Sequence, residues 1–137
     1  MNIIEIPFVQ TVGLSKADDG SLMLEMTPAV SNHLNTMHAS AQFTLAETVS
    51  GQLLIETYPE LEGKVVPVLR DSQIKFKRPA DTAVTAQASV TPEASEALLE
   101  QLARRGRGSI EIQVEIKDIA GKVTCTGAFH WYIQPIT

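Results

Sequence analysis

Residues Ala39-Ser40-Ala41-Gln42-Phe43-Thr44-Leu45-Ala46-Glu47-Thr48-Val49-Ser50-Gly51-Gln52-Leu53-Leu54-Ile55-Glu56-Thr57-Tyr58 form a run of helical composition with no internal proline. The spacing predicts one long helix over roughly Ala39 to Tyr58. Its small residues Ala39, Ala46 and Ser50 share a face, flanked by Phe43, Leu53 and Leu54. Small residues along the centre of a buried face let another backbone approach closely, which suits a helix wrapped by a curved sheet. Gly51 and Pro59 are expected to limit its length.

Outward from this helix the chain reads mostly as strand. Ser21 to Thr27 alternates through Leu22, Leu24 and Met26, and Asp18-Asp19-Gly20 supplies a turn joining it to the mixed segment Phe8 to Lys16, a predicted first hairpin. Val65 to Phe76 carries Val66, Val68, Ile74 and Phe76, and Arg78-Pro79 closes it. Thr82 to Val90 alternates through Ala and Val. Ser109 to Ile116 places Ile110, Ile112, Val114 and Ile116 between polar residues, the clearest alternation in the chain. Asp118-Ile119-Ala120-Gly121 turns it into a last strand, Lys122 to Ile133.

Thr91-Pro92-Glu93 opens a short amphipathic helix near 92–104 through Ala94, Leu98, Leu99 and Leu102, with proline at its first turn. Arg104 and Arg105 put cations at the negative end of its dipole, and Gly106 stops it. Gly106-Arg107-Gly108-Ser109 follows a helix and precedes a strand, the reverse of a phosphate loop, and so reads as a cap and turn. One central helix with a mainly antiparallel sheet is an α+β pattern. Such a sheet leaves an edge strand and an open face, which a second copy would cover.

The 137 residues are 44% hydrophobic and 20% charged, as expected of a single domain spanning 1–137. The lone Cys125 forms no intrachain disulfide and alternates with Val123, Gly127, Phe129 and Trp131, which marks it as a buried strand residue in a reducing compartment. The amino terminus has no basic region and its apolar run is broken by Glu5 and Pro7, so no signal peptide and a cytoplasmic setting are expected. No apolar stretch is long enough to span a membrane. A net charge of -5 argues against a nucleic-acid partner. There is no Gly-x-Ser-x-Gly elbow, no His-Glu-x-x-His, no Cys/His ligand spacing, and neither Walker nor Rossmann glycine pattern. Neither a metal nor a cofactor is therefore expected.

The candidate chemistry concentrates between Asn32 and Glu47, where two of the three histidines and two of the three asparagines fall. Glu47 lies at the margin of the apolar face, beside Phe43 and Leu54, where partial desolvation would raise its pKa. From periodicity alone, a functional carboxylate and an ordinary boundary glutamate reaching solvent fit equally. His33 and His38 read first as solvated or capping residues, and His130 as facing outward or toward a partner subunit.

The string His38-Ala39-Ser40-x-x-Phe43-Thr44-Leu45-Ala46-Glu47 resembles the His-Gly-Gly-x-x-Phe-x-Leu-Ala-Asp/Glu signature of hotdog-fold acyl-CoA thioesterases, especially the phenylacetyl-CoA-type branch. Asn32 matches an asparagine of that branch, and Ile74-x-Phe76-x-Arg78-Pro79-Ala80 resembles the superfamily's strand and turn. The helical insertion at Pro92 to Arg104 is similar to one in an uncharacterised branch. Ala39 and Ser40 replace the two glycines, retaining both amides, and Gly51, with Ser50 adjacent, stands where a threonine or serine often follows the acidic residue.

The resemblance implies a hotdog fold, acyl-CoA hydrolysis, and a homodimer or homotetramer. It implies Glu47 as general base or nucleophile, the amides of Ala39 and Ser40 as oxyanion donors, and Asn32 and His38 as substrate- or water-positioning groups. Lys77 and Arg78, with Lys75, and the Arg104, Arg105, Arg107 cluster are candidates for coenzyme A phosphates. The alternative is a non-catalytic acyl-ligand binding or scaffold domain.

Overall fold

The alternation of Ile110, Ile112, Val114 and Ile116 produces the centre of the sheet. In a computed structural model that describes residues 1–136, strand β5 (Gly108–Asp118) buries every second residue and exposes the others. It pairs antiparallel with β4 (Val84–Ser89) and β6 (Val123–Pro135). β2 (Leu22–Leu24) and the two-residue β1 (Ser15–Lys16) extend one side, and β3 (Val65–Phe76) closes the other, giving the order β1-β2-β4-β5-β6-β3. All pairings are antiparallel. The buried face receives the long helix α2 (Ala39–Thr57), which packs against β2, β3, β4, β5 and β6. This is the hotdog arrangement within the α+β class.

Three expectations, one at the first hairpin and two in the central helix, are corrected. Pro7 at a first helical position and Gly13 in the left-handed region (φ 98°) punctuate a short helix, α1 (Pro7–Val12), so only Ser15 and Lys16 of the segment Phe8 to Lys16 are strand. Gly51 does not end α2 but sits inside it, where a Cβ would come within 3.4 Å of the Trp131 ring. Ala39, expected on the buried face with Ala46 and Ser50, is exposed at the helix start.

α3 (Pro92–Arg105) is capped as its sequence suggests, with Thr91 Oγ1 accepting from Ala94 N–H and Gly106 left-handed at the end. It docks tightly on β5, where the buried Leu98 and Gln101 occupy the space that a Cβ on Gly108 would need. Gln101 Oε1 accepts the Ser109 amide at 2.9 Å.

α2 is buried on most sides and carries polar residues into the core. Gln42, Thr44, Thr48 and Ser50 are all buried, so each polar atom needs a partner. Thr124 Oγ1 donates to Gln42 Oε1 at 2.9 Å. Trp131 Nε1 donates to Ser50 Oγ at 2.8 Å, and Ser50 Oγ donates in turn to the Glu47 carbonyl at 2.7 Å. Thr48 Oγ1 is the exception, buried without a partner among the described residues.

Two substitutions with opposite signs follow from this ledger. Ser50→Ala strands the buried Trp131 N–H and is expected to cost about 1–3 kcal/mol, whereas Thr48→Val exchanges an unpaired hydroxyl for a methyl of the same shape and is expected to be neutral or stabilising. Urea midpoints of the two variants and the parent check both signs.

Candidate active site

The amino-terminal end of α2 is built by its preceding loop. Asn32 closes that loop with nearly all of its side chain. Its Oδ1 accepts from Leu34 N–H (2.9 Å), Thr36 N–H (3.1 Å) and Thr36 Oγ1 (3.2 Å), while Nδ2 lies 2.9 Å from Thr36 Oγ1 and 3.5 Å from the Met37 carbonyl. Asn35 takes a left-handed conformation (φ 60°), which asparagine tolerates because its short side chain hydrogen-bonds locally. Met37 N–H donates to the Ala80 carbonyl and His38 N–H to Val30, both at 2.7 Å. The first bond brings the Arg78-Pro79-Ala80 turn beside the start of α2. Lys77 and Arg78 are exposed there, with the Lys77 amide bonded to the Thr124 carbonyl at 2.8 Å.

His38 is the N-cap of α2, and its ring Nδ1 accepts from the Ser40 amide at 2.9 Å. That bond occupies one of the two amides expected to polarise a carbonyl. Ala39 N–H has no partner among the described residues and points from the positive end of the helix dipole. His38, Ala39 and Ser40 are all exposed. The capping reading of His38 is therefore the one the structure shows.

Glu47 is half-buried in the middle of α2. Its carboxyl is held above the ordinary glutamate value, and burial alone is the cause. One turn to either side stand Phe43, whose ring packs 5.6 Å from that of Phe129, and Gly51, against Trp131. Glu47 therefore looks along the side of α2 nearest β6 and the edge strand β3. The opposite side of the helix, through Val49, Gln52, Leu53 and Glu56, lines an open cavity of about 1170 Å³, with Ile74, Ala88, Val114 and Gly127 of the sheet. Glu47 does not line that cavity.

Thus the structure gathers Asn32, His38, Ala39, Ser40, Lys77 and Arg78 at one end of α2 and sets Glu47 roughly 12 Å along the axis from Ala39. Cys125 is fully buried, and its thiol is pushed up to about 11 by that burial, as befits an inert core residue. Among the described residues, no cluster of three or more His, Cys, Asp or Glu is placed to hold a metal. No helix among them is long and apolar enough to cross a membrane.

Residues 2–133 match the family described as Domain of unknown function (DUF4442). The chain belongs to this family. No curated protein matches it. Among solved structures, this DUF4442 domain is similar to a Pseudomonas aeruginosa protein of unknown function, given as a probable thioesterase, at 24% identity and a TM-score of 0.83 over 98% of this chain and 91% of that one. It is similar to a Haemophilus influenzae thioesterase at 17% identity, TM-score 0.75, over 97% and 86%. A Bacillus halodurans protein solved with CoA is 21% identical, TM-score 0.69, over 89% of this chain and 72% of that one. At these identities the likeness carries the hotdog fold.

The raised pKa of Glu47 has a measurable consequence for stability. Its folded value exceeds the unfolded value of about 4.3, so the cost of ionising it in the fold is fully present above the folded pKa and is relieved as pH falls toward the unfolded one. Glu47→Gln is expected to be more stable than the parent at neutral pH, with the gain shrinking to nothing on acidification. A stability difference independent of pH, measured by urea titration across that window, contradicts desolvation as the cause.

Proposed function

We propose that the protein hydrolyses an acyl-coenzyme A thioester, with Glu47 as general base or nucleophile. The observation that carries this reading is a half-buried carboxyl with a raised pKa and no charged partner, on the helix whose exposed first turn offers the unpaired Ala39 amide. Thioesterases among the structural neighbours, and the neighbour solved with CoA, support it.

In the general-base form, Glu47 takes a proton from water as the oxygen attacks the thioester carbonyl. The tetrahedral oxyanion accepts from Ala39 N–H, and from Ser40 N–H if the His38 ring swings off it. The C–S bond then breaks and the thiolate leaves with the proton from Glu47. In the nucleophilic form the Glu47 carboxylate attacks the carbonyl, the C–S bond breaks to expel the thiolate, and water hydrolyses the resulting anhydride to the free acid and the Glu47 carboxylate. Asn32 acts here by holding the loop that presents these amides, and Lys77 and Arg78 add positive field at the same end.

One carbonyl needs its oxyanion donor and its attacking group each within about 3 Å of the reacting atoms, and the ~12 Å separation along α2 is poorly matched to that within one chain. We therefore place the complete site between two copies, the amide end of one facing Glu47 of the other, in a homodimer or a pair of dimers. The twelve-residue β3 is suited to form that contact, being an unpaired edge with Val66 and Val68 about 40% exposed. A cytoplasmic setting accords with a free, buried Cys125.

The Ser40 amide closed by His38 favours one other reading, a non-catalytic acyl-ligand binding or scaffold domain. Thiol release from short, long and aromatic acyl-CoAs separates the two. Hydrolysis of one acyl class, with kcat lowered at least ~100-fold in Glu47→Gln, is the expected result. Unchanged turnover in that variant removes Glu47 from the mechanism, and acyl-CoA binding without hydrolysis by the parent establishes the binding domain.

A further inference from the structure

On the exposed face of the sheet, beside the end of α3, lies a second cleft of about 300 Å³, lined by Arg70, Arg105, Arg107, Ser109, His130 and Tyr132 among others. Three of the chain's five arginines meet around it, although the chain as a whole is acidic. Among the described residues none of the three forms an ion pair, whereas the neighbouring Arg104 is turned toward Glu100 at 4.0 Å. Arg105 has an ordinary structural explanation at the carboxyl end of a helix dipole. Arg70 and Arg107 lie outside the helix, so its dipole does not account for them.

Arg70 reaches the cleft through a defect in the sheet. The register of β3 on β6 steps from Leu69↔Trp131 to Asp71↔His130, which leaves Arg70 as the extra residue of a bulge. Bulges re-aim a side chain that regular pairing would direct elsewhere. Here the guanidinium lies over the Tyr132 ring, 4.1 Å from its centroid. Stacking on a ring fixes the plane of the guanidinium while leaving its edge N–H groups free for an acceptor.

The remaining walls are also fixed in place. Gln101 ties α3 to β5 at Ser109, and the close approach at Gly108 locks the helix end that carries Arg105. Asp71, the one carboxylate lining the cleft, is turned to His130, with its Oδ1 3.2 Å from Nδ1, and Glu111 stands 3.9 Å from Nε2 on the other side. The cleft thus presents guanidiniums on a rigid frame with its acid already engaged, and its volume is at the low end of the range for small-molecule sites.

We infer that this cleft binds the phosphorylated adenosine end of coenzyme A, with Arg70, Arg105 and Arg107 as phosphate ligands. Guanidiniums match phosphate oxygens by paired N–H donors, which is the chemistry that three unpaired arginines on one concavity supply. This inference rests on the thioesterase reading for the identity of the ligand, and it replaces Lys77 and Arg78 as the principal phosphate contacts.

Titration calorimetry with adenosine 3′,5′-bisphosphate, inorganic phosphate and adenosine tests it on the intact protein. The bisphosphate is expected to bind most tightly, more weakly as salt rises, and at least ~10-fold more weakly in each of Arg70→Gln and Arg107→Gln. Ser109→Glu, which adds a charge without removing an arginine, is expected to abolish binding. Bisphosphate binding unaltered by all three substitutions, or no binding by the parent, overturns the inference. The two readings fail separately. Arginine-dependent binding without any turnover leaves the cleft standing and sinks the hydrolase, whereas Glu47-dependent turnover with KM for acyl-CoA unchanged in the arginine variants does the reverse.

Discussion

Two buried hydrogen bonds set where every group on α2 can go. Gln42 to Thr124 and Ser50 to Trp131 pin the helix to β6 at two points, two turns apart. Apolar packing is non-directional and would tolerate small slides or rotations of a helix that is buried on most sides. A buried donor that loses its acceptor is not so tolerant. The pins therefore choose one rotation of α2, and with it the direction in which Glu47 looks and the height of the Ala39 amide.

One of these pins uses Ser50, the hydroxyl beside Gly51, which stands where the resembled thioesterases often carry a threonine or serine. Ser50 Oγ is engaged by the indole N–H and the Glu47 carbonyl, and Gly51 has no side chain to offer, although a Cβ there would meet the indole ring only at ordinary contact distance. Neither is left to hold a water. Glu47 carries the opposite kind of strain, a carboxyl with no charged partner that burial keeps above its ordinary pKa. A fold gains nothing from such a group, so its presence opposite a well-satisfied set of polar pins is the kind of local inconsistency expected at a working site.

What could be read from the residues was what depends on near neighbours. β5 and β6 follow from alternation, and α2 and α3 from composition, the cap at Thr91 and the stop at Gly106. α1 was misread because Phe8, Val9 and Val12 fit a short strand as well as one helical turn, and Pro7 and Gly13 carried the decision. The half-burial of Glu47 is legible from its place at the margin of the apolar face, whereas its part in any chemistry rests on the resemblance alone. A capping role for His38 is legible from its place before the helix, whereas the use of Asn32 within its own loop depends on side-chain rotamers that no spacing encodes. The placement of Arg70 is illegible in the sequence for a related reason. Only the register slip against β6 lifts it out of strand alternation and over Tyr132, and a slip is a property of two strands that are far apart in the chain.

The edge strand β3 connects these points. It carries Val66, Val68 and Phe76 exposed, and Pro67 within it is tolerated because an edge strand leaves some of its amides unused in the sheet. Its inner neighbour β6 carries Phe129 and Trp131, which flank the side of α2 where Glu47 sits, and its bulge supplies Arg70 to the opposite face. A second copy adding to this edge would cover apolar surface, shield Glu47 further from water, and bring new groups near both faces at once. On the proposed reading, association and catalysis then become one constraint. On that reading, covering β3 and further desolvating Glu47 are two effects of one association.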